Sequence, residues 1–384
     1  MEKCRYAREC GGCQYQGTEY KKQLQMKKNY IEKLLKPFCP VKDMVGMENP
    51  YNYRNKVHAV FGRDKKGNIY SGVYKAGTHD IVPVEKCQIE DETADHIIAT
   101  IGELAQSFRY PVYDEDRQTG LLRHVLIRRG FTSGEIMVVL VCSSLILPSK
   151  KNFVNALLKA HPQITTIVLN ENNKRTTFVL GNRETVLYGK GYITDTLCGK
   201  TFKISSKSFY QINPLQTEKL YQKAMELAGL TGRERVIDAY CGIGTIGIVA
   251  AKKAKEVIGI ELNKDAVADA KENARLNKAS NTRFYCGDAG DFMVEMAARG
   301  QKADVVFMDP PRSGSTEKFI CSIVKLAPKR VVYISCGPDT LARDLKVFAR
   351  LGYRAEEAWG YDMFPFTEHI ETVILMTRCG FEGK

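Results

Sequence analysis

The residues best placed to do chemistry are one cysteine, two carboxylates near it in kind and context, and a separate cluster of cysteines. Cys336 closes the β-branched run RVVYIS and is followed by Gly337-Pro338, a loop signal. A free cysteine is most often a small buried core residue, but a cysteine at the end of a strand is placed to react. Asp309-Pro-Pro-Arg312 closes the run DVVFM, where its bland role would be a loop cap, and Glu371 stands just before the run TVILMT. A thiolate with a carboxylate on the same face suits addition and elimination on an electron-poor ring such as a pyrimidine. The sulfur adds to one ring carbon, the neighbouring carbon becomes nucleophilic, and the carboxylate then removes a proton so that the sulfur is expelled. That scheme asks for a cysteine of depressed pKa.

A second signature lies upstream. Asp238-Ala-Tyr240-Cys-Gly242-Ile-Gly244-Thr follows the strand-like RVI and precedes the helix-like IGIVAAKKA. The two glycines allow a tight turn and close approach of backbone to a ligand. Glu261 ends the next strand-like run, 23 residues after Asp238, where it can accept ribose hydroxyls, and Asp288 follows a third run. A dinucleotide site would present helix amides to a pyrophosphate, and Asp238 at the strand tip would repel that group. The acidic tip suits the ammonium and sulfonium of S-adenosylmethionine (SAM) instead, with Asp288 placed for the adenine amine.

Cys4, Cys10 and Cys13 form a third group, with Gly11-Gly12 between the last two. Three clustered thiols need a fourth partner to hold a metal centre, and Cys39 and Cys87 are the candidates. Two close pairs would indicate structural zinc; the lopsided spacing favours iron–sulfur.

These residues must be carried by distinct elements. Residues 17–36 read as an amphipathic helix with Leu24, Ile31, Leu34 and Leu35 near one face, ended by Pro37 and Pro40. From about 50 to 200, short alternating runs such as VHAVFGR, IYSGVYK, HVLIRRG, EIMVVLVC, TTIVLN and TTFVL predict an antiparallel sheet, interrupted by helices near 93–108 and 149–160. From 201 onward, buried-strand runs alternate with helices at 264–277 and 315–327, which predicts a doubly wound parallel sheet. The expected organisation is a cysteine-rich segment with a helix over 1–49, a central mixed α+β domain over 50–200, and a Rossmann-like α/β SAM-binding domain over 201–384. Ligands of such a sheet bind beyond the carboxyl ends of its strands, so Asp309 and Cys336 are expected in the same crevice as the SAM site.

Composition narrows the function class. The chain has 384 residues, 44% hydrophobic and 26% charged, within the range of ordinary globular proteins. No apolar run approaches the roughly 18 residues of a membrane helix, and the charged, cysteine-bearing start is no secretory leader. Its twelve cysteines therefore read as reduced thiols, metal ligands or catalysts in a cytoplasmic protein. The net charge of +13 leans toward the first 200 residues, which carry an excess of nine basic groups against four in the remainder. Such a surface favours phosphate backbones.

Taken together, these motifs resemble the RNA uracil-5-methyltransferases, specifically the iron–sulfur branch that modifies 23S ribosomal RNA, and the resemblance runs over essentially the whole chain. It implies that Cys4, Cys10, Cys13 and Cys87 hold a 4Fe–4S cluster, that Cys336 is the nucleophile toward carbon 6 of uracil, and that Glu371 is the base. Ser208-Phe-Tyr-Gln211-Ile-Asn213 is similar to a motif whose glutamine contacts SAM, and Tyr240, Glu261 and Asp309 fall on further SAM contacts. Asn52-Tyr-Arg-Asn-Lys56 and Leu122-Arg-His124 resemble segments of an RNA-facing central domain. The implied partner is RNA, 23S rRNA ahead of tRNA, with no membrane and no obligate protein partner. Many members carry a small β-barrel module ahead of the cysteines; with the first cysteine at residue 4, the chain is expected to be the short form without it. Competing readings are a cytosine-5 RNA methyltransferase, in which a second cysteine would stand where Arg312 is, an exocyclic-amine methyltransferase, whose motif would end in an aromatic at that place, and a non-catalytic RNA-binding assembly factor.

Overall fold

Along the chain, two periodicities alternate and assign its elements to two sheets. In the computed structural model, which describes residues 3–380, helices α1 (Ala7–Cys10) and α2 (Tyr20–Leu35) come first, followed by strand β1 (Val41–Val45). Next come β2 (Lys56–Arg63), β3 (Ile69–Tyr74), β4 (Ile81–Pro83), α3 (Glu92–Ser107), β5 (Leu122–Arg129), β6 (Ile136–Cys142), α4 (Lys150–Ala160), β7 (Ile164–Glu171) and β8 (Arg183–Tyr188). Strands β9 (Tyr192–Leu197) and β10 (Lys200–Ser205) form a separate two-stranded sheet. The rest is α5 (Pro214–Ala228), β11 (Arg235–Ala239), α6 (Thr245–Ala251), β12 (Glu256–Glu261), α7 (Lys264–Leu276), β13 (Thr282–Cys286), α8 (Ala289–Ala298), β14 (Val305–Met308), α9 (Glu317–Leu326), β15 (Arg330–Ser335), α10 (Pro338–Arg350), β16 (Tyr353–Tyr361) and β17 (Glu371–Arg378).

The chain divides into two compact units. The first holds residues up to Gly17, Pro50–Thr196 and Lys203–Lys207; the second holds Thr18–Asn49, Leu197–Phe202 and the chain from Ser208 onward. In the first, a seven-stranded sheet in the order β4-β3-β2-β5-β6-β7-β8 is antiparallel except for the β6–β7 pair. That parallel pair exists because α4 carries the chain back across the sheet between them. Its core is built by Phe61, Ile97, Ile101, Val125, Val138, Phe153 and Leu157. The run TTFVL, expected as a strand, is loop at residues 176–180. Asn172 holds it by donating its side-chain amide to the carbonyls of Phe178 and Val179, so backbone pairing is replaced by a side-chain clasp.

The second unit carries an eight-stranded sheet in the order β1-β16-β17-β15-β14-β11-β12-β13. Strands β11 to β15 are mutually parallel, whereas β17 runs antiparallel between β15 and β16. The carboxyl ends of β11, β12, β13, β14 and β15 therefore lie on one rim. The register of Ser335 opposite Thr372 puts the first residue of β17, Glu371, on that same rim.

Helix α2 buries Gln23, Lys27, Ile31 and Leu35, a stripe at helical spacing that is half polar. The sequence reading of an apolar face on Leu24, Ile31, Leu34 and Leu35 holds only for Ile31 and Leu35; Leu24 and Leu34 are half-buried. The reason is a buried ion pair. Lys27 Nζ lies 2.7 Å from Asp362 Oδ1, with both side chains fully buried. The ammonium also donates to the carbonyls of Phe364 and His369, and Gln23 accepts from the amide of Phe366. Helix α2 thus clamps the loop that leads into Glu371.

Removing one partner of a buried pair strands the other charge, at about 3–5 kcal/mol. Lys27→Met is expected to lose that much stability in urea denaturation, whereas Lys27→Met combined with Asp362→Leu should recover much of it. A single variant of unchanged stability would show that the pair is not what fixes the loop.

Candidate active site

The site is built on the rim of the second unit's sheet. After β11 the chain turns sharply. Tyr240, Gly242 and Gly244 all take positive φ, of 65°, 53° and 84°, a conformation that costs the non-glycine residue about 1–3 kcal/mol and is concentrated at functional sites. The Tyr240 ring is held against Phe319, 4.9 Å between centroids. Beneath the turn, Asp238 is fully buried; its Oδ2 accepts the Gly247 amide at 2.7 Å, and its Oδ1 has no hydrogen-bond partner. A β-carbon at residue 247 would meet that Oδ2 at 2.9 Å, which is why helix α6 carries glycine there. Glu261 accepts from the amides of Gly242 and Asn263, so the carboxylate expected to face a ribose also ties the glycine turn to β12. Asp288 is exposed and caps α8 by accepting from Asp291. Gln211 is buried, between Ser208, which donates to Asp269, and Asn213, which caps α5.

Asp309 and Cys336 follow β14 and β15, adjacent strands of the sheet, and Glu371 opens β17 on the other side of β15. The three groups influence one another electrostatically. Burial, reinforced by Glu371 and Asp309, pushes the Cys336 thiol up to about 12, with Arg312 opposing. Burial and Asp309 hold the Glu371 carboxyl well above the usual carboxylate range, again opposed by Arg312. Burial raises Asp309 to about 7 and, with Asp309 and Glu261 contributing, Asp238 to about 7. The expectation of a depressed cysteine pKa is therefore corrected: the lone protein shows the opposite shift, because the thiol stands among carboxyls. Cys336 does precede the first turn of α10, whose amides favour a thiolate.

The loop after Asp309 is latched by α10. Asp344 is buried and accepts from the Ser315 amide and the Tyr333 hydroxyl, each at 2.7 Å. Arg343 donates to the carbonyls of Ser313 and Ser315, and Thr340 to that of Arg312. Neither Arg343 nor Asp344 was singled out from sequence. Their adjacency on a helix looks like an ordinary surface ion pair, and only the tertiary contact reveals the latch.

In the first unit, Cys4, Cys10, Cys13 and Cys87 line one cavity of about 310 Å³ together with Arg54, His58 and Glu90. A β-carbon on Gly12 would come within 3.3 Å of Cys10 Sγ, so the loop lies tightly against the thiols. Burial raises Cys10, Cys13 (to about 11) and Cys87, the last also through Glu90. Cys39, the other candidate for the fourth position, is buried in the apolar core of the second unit. Among the described residues no three His, Cys, Asp or Glu side chains converge closely enough to hold one metal ion. In Leu122-Arg-His124, which resembles a segment of an RNA-facing domain, Arg123 is buried: it makes a bidentate pair with Glu115 and donates to the carbonyls of Asn172 and Lys174. No helix among the described residues is long and apolar enough to cross a membrane.

A family model described as tRNA (uracil-5-)-methyltransferase matches residues 19–379. An uncharacterized RNA methyltransferase of Bacillus cereus is 43% identical over 98% of this chain and 82% of its own length. One from Caldanaerobacter subterraneus is 44% identical over 98% of this chain and 84% of its own. Among solved structures, the tRNA (uracil-54, C5)-methyltransferase of Pyrococcus abyssi in complex with S-adenosyl-L-homocysteine superposes with a TM-score of 0.78 at 26% identity, covering 94% of this chain and 84% of that one.

Burial-raised carboxyls bind protons more tightly folded than unfolded, where an Asp titrates near about 3.9. The stability held by protonated Asp238 and Asp309 is therefore complete below that pH and is lost as pH rises through about 7. Asp309→Asn is expected to flatten the fall of the urea midpoint between pH 4 and 7 (the interval spanned, roughly, by those two values). An unchanged slope would remove Asp309 from the raised set.

Proposed function

We propose that this chain, which belongs to the tRNA (uracil-5-)-methyltransferase family, methylates carbon 5 of a uridine in RNA, with Cys336 as nucleophile and Glu371 as base. The observation that carries this reading is the convergence of Cys336, Asp309 and Glu371 at one end of three neighbouring strands of the sheet. SAM supplies an electrophilic methyl on a positively charged sulfur. The residues present fit it: Asp238, whose buried Oδ1 has no hydrogen-bond partner, and Asp309 are acids whose ionised forms a cation would stabilise, and Gln211, Tyr240, Gly242, Gly244, Glu261 and Asp288 would supply the further contacts. The same positive charge lowers the cost of ionising the thiol and carboxyls beside it.

The chain's own residues then act in order. Cys336 loses its proton to solvent, an ionisation that a neighbouring positive charge and Arg312 would favour. The sulfur bonds to carbon 6 of a uracil extruded from its stack at a cost of about a few kcal/mol, and the ring's electrons shift so that carbon 5 can take the methyl. Glu371 removes the carbon 5 proton, the carbon–sulfur bond breaks, and the thiolate is released. A carboxylate with a raised pKa is a stronger base, which is what burial gives Glu371.

The four-thiol cavity fits a 4Fe–4S cluster held by Cys4, Cys10, Cys13 and Cys87. In a cubane each thiolate binds a different iron, so the sulfurs need not meet at one point. We assign the cluster a structural part, since the methyl transfer moves no electrons to it. The preferred substrate is 23S rRNA, the reading attached to the cysteine-bearing branch, with tRNA, the substrate named for the Pyrococcus abyssi relative, as the second.

With RNA containing 5-fluorouridine and SAM, the enzyme is expected to form a covalent adduct resolvable on a denaturing gel, and Cys336→Ala to form none. Glu371→Gln should trap adduct on ordinary RNA. Normal turnover by either variant sinks the assignment of that residue. Anaerobically purified protein is expected to contain about four irons and four acid-labile sulfides, and Cys87→Ala to lose them. Full iron content in Cys87→Ala would disprove the ligand set.

A further inference from the structure

On the second unit, β13 is the outermost strand of the sheet and pairs only with β12. Between it and α7 lies an open groove of about 520 Å³ whose charged lining is entirely basic: Lys271, Arg275 and Lys278 from the helix end, and Arg283 from the strand. Lys271 and Arg275 stand four residues apart on α7 and share one helix face, and Lys278 lies just past the helix end with a φ of 53°. Like charges at that spacing destabilise an isolated helix. Among the described residues none of these three has an ion pair within 4.0 Å, and Arg283 meets Glu256 only at 3.7 Å. All four are exposed. Tyr285 projects from the same strand with 39% of its surface open, and Ala274 leaves the floor between the cations shallow.

We infer that this groove is a docking surface for the phosphodiester backbone of RNA outside the target nucleotide. Two elements contribute cations to one concave strip, and no carboxylate lines it, so it matches a polyanion. The strip runs along β13 toward Gly287-Asp288 on the catalytic rim, which lets one strand of RNA follow the sheet edge away from the crevice. An acidic extended peptide adding to the open edge of β13 is the competing occupant. It would need neighbouring apolar pockets for its alternate side chains, and the lining offers mainly Phe284, which is buried, and Tyr285. The inference rests on RNA as the substrate class but not on the chemistry of methyl transfer, and its test reads binding without turnover.

The full-length protein would be titrated with two RNAs carrying the same target stem-loop, one minimal and one extended by single-stranded flanks, over a range of salt concentrations. Each lost phosphate contact lowers the slope of log affinity against log salt by about 0.7 for single strands. The variant Lys271→Ala/Arg275→Ala/Lys278→Ala is expected to lower the slope for the extended RNA by about 2, to raise KM for it several-fold at unchanged kcat, and to leave the minimal RNA unaffected. Arg283→Ala should reproduce a smaller share from the other wall. The reference is Lys150→Ala/Lys151→Ala/Lys159→Ala on α4, which removes the same charge elsewhere. Equal losses in that reference, an unchanged slope for the extended RNA, or polyglutamate binding that depends on the three residues while RNA binding does not, would each overturn the proposal. Covalent-adduct formation on the minimal RNA is read separately, so a failed groove and a failed mechanism give different results.

Discussion

Catalytic geometry in the second unit depends on one buried ion pair, between Lys27 and Asp362. Two unpaired charges in a protein interior would each cost several kcal/mol, and even paired they are seldom more stabilising than hydrophobic residues of the same shape. Their retention is better understood as a constraint on geometry. The ammonium has three donors and spends them on Asp362, Phe364 and His369. Gln216 adds bonds from α5 to the carbonyls of Val45 and Asp362. A loop that would otherwise be free to choose its path into β17 is thereby fixed, and with it the position of Glu371. A hydrophobic clamp could bury the same area but would not specify where the loop carbonyls lie.

The rim itself carries an electrostatic load. Asp238, Asp309 and Glu371 are carboxyls buried or half-buried close to one another, and Cys336 joins them as an acid that must ionise to act. Burial raises all four, Asp309 adds to the shift of the other three and Glu371 to that of Cys336, so the resting arrangement leans toward the protonated forms. A cationic ligand reverses the balance: attraction at short range in a poorly solvated pocket is stronger than in water, and one positive charge next to several acids favours ionisation of all of them. On the proposed function, a bound cation would therefore favour the thiolate of Cys336, which the protein's own carboxyls disfavour.

How much of this could be read from the residues follows from what each signal depends on. The strands ending in Asp309 and Cys336 were legible because continuous β-branched runs report burial on both faces of a parallel sheet. The glycine turn after Asp238 was legible because positive φ favours glycine, although Tyr240 adopts it too. Helix α2 was legible as a helix, but its buried face was misjudged: periodicity identifies apolar stripes and is blind to a polar stripe whose partners lie more than three hundred residues away. The enclosure of Arg123 was illegible for a similar reason, since an arginine in a strand gives no sign of the carboxylate and carbonyls that surround it. The Cys336 shift was misjudged because it is a property of the neighbours brought by folding, not of the local Cys-Gly-Pro.

Arg312 shows how the remaining conflict is managed. It is exposed, yet it lowers the protonation tendency of both Cys336 and Glu371. Its backbone carbonyl accepts from Thr340, and the segment after it is held by Arg343 and Asp344. Because a guanidinium is always protonated, its contribution depends on distance alone. The latch from α10 thus holds the backbone that carries this charge, through a helix whose first turn also borders Cys336.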